Sequence, residues 1–216
     1  MPSGGGWPTR SPRPVVAPRR SPPAGALTTA QVAALSTGQL QSLEAGDVAE
    51  FATTQVAAFT TTQVQGLSED NVTSLAETQV AALTTSQIQA LSATNFAALG
   101  ETQVAALSMA QIAAMSITQI GGLAEEDMAE FADTQVASFT ATQLSAMSAT
   151  NFAALSETQL ASLTTAQLGS INATKIAALN ETQSAAFTAT QVGAFSTSQL
   201  RAFSNENLAA FDATQV

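Results

Sequence analysis

Paired carboxylates are the residues of this chain whose type and spacing could do chemistry. Asp47 and Glu50 stand three residues apart, and the same pair recurs 80 residues later as Asp127 and Glu130. Three-residue spacing places both carboxyl groups on one helical turn, where they could serve as general acid and base or as oxygen ligands of Ca²⁺. A solvated surface face is the alternative, because no EF-hand loop or glycine-rich calcium-binding nonapeptide surrounds either pair.

Few other residues of the types that act in catalysis are present in the chain. The chain has no histidine, cysteine or tyrosine, and Lys175 is its only lysine. Most general bases, nucleophiles and thiolate metal ligands are therefore missing. We predict a non-catalytic protein without a cofactor, in which the four carboxylates are at most weak candidates for a metal site.

Both carboxylate pairs belong to an eight-residue repeat that begins at Leu27. Twenty-three complete octads follow one another without insertion, and a twenty-fourth ends at Val216. Position 1 is always Leu, Phe, Met or Ile, position 6 is apolar in every copy except at Ser184, and position 5 is Gln in seventeen copies. Strict register of this kind predicts one small unit stacked many times, which is a solenoid.

The octad predicts a short helix with its own cap. One continuous α-helix would rotate the apolar position by about 80° per octad, and a strand would place positions 1 and 6 on opposite faces. Position 2 is Ser, Thr, Asn or Asp in eighteen copies, with Gln usually three residues later. This is the capping box, and it puts positions 1 and 6 where a hydrophobic staple joins them. We expect an all-α solenoid with one very short helix per octad.

A second period lies within the first. Gln is replaced at position 5 in the 3rd, 6th, 9th, 13th, 16th, 19th and 23rd octads, by Asp47, Asn71, Asn95, Asp127, Asn151, Lys175 and Asn207. Spacings of three and four octads indicate about 3.3 octads, or about 27 residues, per superhelical turn. The recurrence of the Asp/Glu pair after 80 residues has an alternative explanation, a gene duplication of that length. All 16 acidic residues lie in these octads or in the next one, which predicts one acidic side of the rod.

Residues 1–26 differ in composition from the octads at 27–216. They contain all seven prolines, four of the six basic residues and the only tryptophan, Trp7. This composition predicts a disordered tail. The sequence shows no secretory signal and no segment long enough to cross a bilayer. The acidic octads would repel nucleic acid phosphates, so we expect no nucleic acid partner.

Further predictions follow from the residues that recur at single positions of the octad. The recurring threonines at position 4 are not needed by the cap, and a regular threonine and glutamine face could order water and bind ice or another surface. The phenylalanines at position 1 replace leucines and are expected in the core. Burial of position 6 predicts that Ser184→Val stabilises the fold by about 1 kcal/mol. A capping role alone predicts that Gln103→Ala lowers the free energy of unfolding by up to about 1 kcal/mol.

The run LTTAQVAALSTGQLQSL resembles octapeptide arrays of the form L-[ST]-x-x-Q-[VIL]-x-[AS] in large bacterial surface or secreted repeat proteins. The resemblance extends from Leu27 to Val216. It implies an extended scaffold outside the cell or on its surface, such as a stalk or an adhesive region, with an unidentified protein or surface partner. Lateral self-association of such rods is a further expectation.

Overall fold

The computed structural model describes residues 24–212 and residue 215, and they form an all-α solenoid. Almost every octad folds into one α-helix of four to six residues that begins at position 3. Position 2 has an extended backbone and caps the helix: Thr60 has φ −71° and ψ 156°, and its hydroxyl accepts from the N–H of Gln63. The chain therefore turns a corner in each octad, and the predicted fold class is confirmed.

The ends of the helices follow the octad register. None of the described helices is long enough to span a membrane, since the longest have six residues. A 3-10 turn at Ala24–Ala26 precedes the first helix, and a 3-10 helix at Glu126–Glu130 replaces the α-helix of the thirteenth octad. The α-helices, in chain order, are Thr29–Ala33, Thr37–Gln41, Ala45–Ala49, Thr53–Val56, Thr61–Gln65, Glu69–Thr73, Glu77–Ala81, Thr85–Ala90, Ala93–Ala97, Glu101–Ala105, Met109–Ala114, Ile117–Gly122, Asp133–Val136, Ala141–Ala146, Ala149–Ala153, Glu157–Ala161, Thr165–Gly169, Ala173–Ala177, Glu181–Ala185, Ala189–Ala194, Thr197–Leu200 and Asn205–Ala209.

Helices three octads apart pack against each other, so each turn of the solenoid contains about three helices with a corner after each. Thr61–Gln65 lies on Thr85–Ala90, for example. Hydrogen bonds between adjacent turns join residues 25 to 31 apart, from Gln41 Nε2 to the Gly66 carbonyl and from Gln63 Nε2 to the Val32 carbonyl. These separations bracket the turn of about 27 residues that the spacing at position 5 predicts.

Positions 1 and 6 form the core, as the staple predicts. Position 6 is almost fully buried through the middle of the rod, and Ser184 is buried there too, with its hydroxyl donating to the Asn180 carbonyl at 2.9 Å. Neighbouring phenylalanines at position 1 meet edge to face, with 5.4 Å between the ring centroids of Phe51 and Phe59. Such ring pairs add to the stability gained from burial alone. The predicted core role of the phenylalanines is confirmed.

The packing begins three residues before the first octad. Ala24 is buried, and the carbonyls of Ala24, Gly25 and Leu27 all accept from the side-chain amide of Gln55. Residues 24–26 thus take positions 6 to 8 of a preceding unit. The predicted disorder otherwise falls on residues 1–23, which lie outside the described residues, as do residues 213, 214 and 216 of the last octad.

Candidate functional site

The side-chain amides at position 5 join successive turns of the solenoid. Gln103 is buried; its Oε1 accepts from the N–H of Gly100 at 2.9 Å, as the capping box predicts. Its Nε2 donates to the carbonyls of Val72 and Leu75, 31 and 28 residues earlier, at 3.0 and 2.7 Å. The two carbonyls flank a corner of the preceding turn. One side chain therefore caps its own helix and also donates hydrogen bonds to a corner of the preceding turn.

This second role of glutamine is absent from the capping interpretation, but the sequence contains a signal for it. A capping box accepts Glu as readily as Gln, yet none of the 24 octads has Glu at position 5, although the chain has 16 acidic residues. A carboxylate can accept the cap hydrogen bond, but it has no N–H to donate to a buried carbonyl. The preference for Gln over Glu is thus explained by the N–H donor that only the amide supplies.

The substitutions at position 5 change how the turns are joined. Asparagine is one methylene shorter and bonds only the position 1 carbonyl, as between Asn95 and Leu67 at 2.8 Å. Lys175 is 3% exposed, and its Nζ donates to the Ser145 carbonyl at 2.9 Å. Burial lowers the pKa of the Lys175 ammonium, because removal from water disfavours its charged form.

The aspartates of the two carboxylate pairs also take the place of glutamine. Asp47 and Asp127 accept from the N–H groups of Glu44 and Ala124, at 3.2 and 2.7 Å. Each thus keeps the cap hydrogen bond but supplies no donor to another turn. Neighbouring Glu130 is partly buried, and its pKa is raised by burial first, then by the charges of Asp127 and Glu101.

The structure does not bring the two pairs together, because they stand 80 residues apart along the rod. Among residues 24–212 and 215, no three or more Asp or Glu side chains gather as metal ligands would. The weak metal candidates Asp47, Glu50, Asp127 and Glu130 therefore remain isolated pairs. The predicted single acidic side of the rod stays a prediction.

Half of the twelve remaining acids have a local role in the helices. Position 3 is the first helical residue, where a negative charge interacts favourably with the free N–H groups of the helix. The acids that begin an α-helix at this position are Glu69, Glu77, Glu101, Asp133, Glu157 and Glu181. The last five of these acids lie in the octad after a substituted position 5, and helix capping thus explains why acids recur there.

The outer surface presents small polar groups. The recurring threonines at position 4, which could form a surface-binding face, are all exposed, namely Thr54, Thr62, Thr78, Thr94, Thr102 and Thr118. A shallow depression of about 480 Å³ between turns is lined mainly by hydroxyl and amide groups, including Thr62, Gln65 and Thr118. In the part of the chain that the structure describes, every buried side-chain nitrogen or oxygen has a hydrogen-bond partner. Comparisons with family models, with curated proteins and with solved structures find no match for this chain.

Proposed function

We propose that the chain is a non-catalytic scaffold, a stalk or adhesive repeat region of a bacterial surface or secreted protein. The observation that carries this proposal is the use of the position 5 amides between turns. Gln103 bonds its own helix and two carbonyls of the preceding turn, and the same arrangement recurs along the rod. The groups most able to bind a ligand are thereby used to hold the rod together.

Repetition supports the same conclusion. A solenoid in which each unit contacts only its neighbours can be lengthened by whole units without a new core. Extension by added units is what a stalk requires, and the exposed surface of Thr, Ser, Ala and carboxylates suits a solvated spacer. The location outside the cell and the adhesive role rest on the resemblance to octapeptide arrays of bacterial surface proteins.

The experiment is a duplication of residues 43–122, a block of ten octads, inserted after Gly122 in the full chain. We expect small-angle scattering to show an unchanged cross-section and a length that grows in proportion to the number of octads. The duplicated chain, placed between a membrane anchor and an epitope, should also raise the accessibility of the epitope to antibody. A more compact particle, or an epitope no more accessible than before, would contradict a stalk.

Binding of ice or another ordered surface is the second candidate, and the exposure of the position 4 threonines favours it. Thr94, Thr118 and Thr142 occupy the same place in helices that lie on one another, three octads apart. Hydroxyl groups repeated in this way could hold bridging waters. Thermal hysteresis and inhibition of ice recrystallisation would be measured for the chain, for Thr118→Lys, and for Thr37→Lys in the first turn as control. Activity lost only in Thr118→Lys would support this role, and no activity at high concentration would exclude it.

A calcium-stabilised module is the remaining alternative, through Asp47/Glu50 or Asp127/Glu130. Only these pairs motivate it. A calcium-dependent rise in melting temperature that Asp127→Asn removes would support this role. A melting temperature that is the same with calcium and with chelator would dismiss it.

A further inference from the structure

The N-terminal end of the solenoid is an uncovered edge of the core. Position 1 is buried from Phe51 onward, but Leu27, Leu35 and Leu43 in the first turn are only partly buried. They line a groove of about 290 Å³, together with Ala24 and the carboxylate-bearing Asp47. In later turns the corresponding surface is covered by the preceding turn of octads.

The same edge carries unused hydrogen-bond donors. Gln31 and Gln39 are exposed, and their Oε1 atoms accept from the N–H groups of Thr28 and Ser36 at 2.8 Å. Their Nε2 groups find no acceptor among the described residues, whereas the equivalent group of Gln63 reaches the Val32 and Leu35 carbonyls. The edge therefore fits an occupant that offers backbone carbonyls, apolar side chains and positive charge.

We propose that the chain's own segment 1–23 binds in this groove and caps the solenoid. Three properties of the segment match the edge. Its seven prolines have no N–H, so it offers carbonyl acceptors in excess of donors. Val15 and Val16 offer apolar side chains to the leucines, and the four arginines are opposite in charge to the octad that contains Glu44, Asp47 and Glu50.

The position of the segment favours it over other occupants. Ala24 is itself part of the groove lining, so the segment leaves the described chain at the place it would cover. Val16 is eight residues away, within about 26 Å if extended. A second copy joined through the same edge would bring donors against donors and Asp47 against Asp47, which is unfavourable.

The composition of the chain gives a direct test. Trp7 is the only tryptophan and there is no cysteine, so the fluorescence of Trp7 reports on the segment alone. Ser42→Cys places one thiol in the groove for a small label that quenches tryptophan on contact. We expect at least twofold quenching that is unchanged on dilution. A second chain with Trp7→Phe and Ala17→Trp moves the reporter closer to Ala24 and should be quenched more strongly.

Two matched variants complete the experiment. The same label on Ser198→Cys, an exposed serine in the twenty-second octad, should leave the tryptophan unquenched. Asp47→Lys should reduce quenching from Ser42→Cys, whereas Glu181→Lys, which alters a distant exposed carboxylate, should not. The absence of quenching with both tryptophan positions would overturn the proposal, and quenching that disappears on dilution would assign the groove to a second copy instead.

Discussion

The side-chain amide of Gln103 donates to the carbonyl of Leu75 at 2.7 Å across 28 residues of sequence. Leu75 is a corner residue, and a corner leaves its carbonyl outside both the preceding and the following helix. The buried amide supplies the missing donor, as a buried carbonyl requires. The connection between turns is therefore polar as well as apolar.

This relationship changes the expected cost of losing the glutamine. Gln103→Glu keeps the cap acceptor but removes both inter-turn bonds and buries a charge, so we expect a loss of roughly 2–4 kcal/mol in the free energy of unfolding. Gln103→Ala should also exceed the loss of about 1 kcal/mol expected from capping alone. Urea unfolding followed by circular dichroism measures both. Gln103→Asn is the control, because asparagine at position 5 keeps one inter-turn donor bond, as Asn95 does to Leu67, and it should lose less than Gln103→Glu; an equal loss would argue against the inter-turn role.

Ser184 is the one polar residue in the position 6 column. Ser184→Val should raise stability by about 1 kcal/mol, because the Asn180 carbonyl that accepts from the serine hydroxyl also accepts from the backbone N–H of residue 184 at 3.0 Å. Thermal unfolding provides the measurement. Ser184→Ala separates the loss of the hydroxyl from the gain of volume and should gain less than valine. A lower melting temperature for the valine variant would mean that the site has no room for it.

Lys175 gives the chain an unusual dependence on alkaline pH. Its pKa is lowered from 10.5 by burial, so above the folded-state pKa the folded chain binds fewer protons than the unfolded chain. Stability should then rise as the pH increases through the folded value towards 10.5. With no histidine, cysteine or tyrosine, only the terminal amino group also titrates in this range. Lys175→Gln should be more stable at neutral pH and should lose the alkaline rise in melting temperature; an unchanged rise would contradict the assignment.

Glu130 should have the opposite dependence on pH. Its raised pKa means that the folded chain binds more protons than the unfolded chain between the two values, so this group disfavours folding as the pH rises. Glu130→Gln should raise the melting temperature at pH 7 and have less effect in acid. Glu50→Gln is the matched control, since Glu50 holds the same octad position but is exposed in the first turn. Equal shifts in melting temperature for both variants would show that the burial of Glu130 and its neighbouring charges do not affect the stability of the fold.

The sequence by itself determined the elements of this protein. Thr60 and Gln63 are three residues apart, and local chemistry alone makes them a capping box. The staple positions and the non-integral turn follow from the same register, because each depends only on the order of residues within one or a few octads. The sequence also identified Asp47, Glu50, Asp127 and Glu130 as separate pairs.

Only the tertiary structure decided which residues of different octads contact one another. Which carbonyl Gln103 Nε2 meets depends on how one turn lies on the next, a relationship between residues 28 to 31 apart that no single octad contains. The half-buried leucines at 27, 35 and 43 were likewise indistinguishable in sequence from buried ones such as Leu75. Octads of the same pattern differ in burial because burial depends on the neighbouring turns, and among the described residues no octad precedes the first turn.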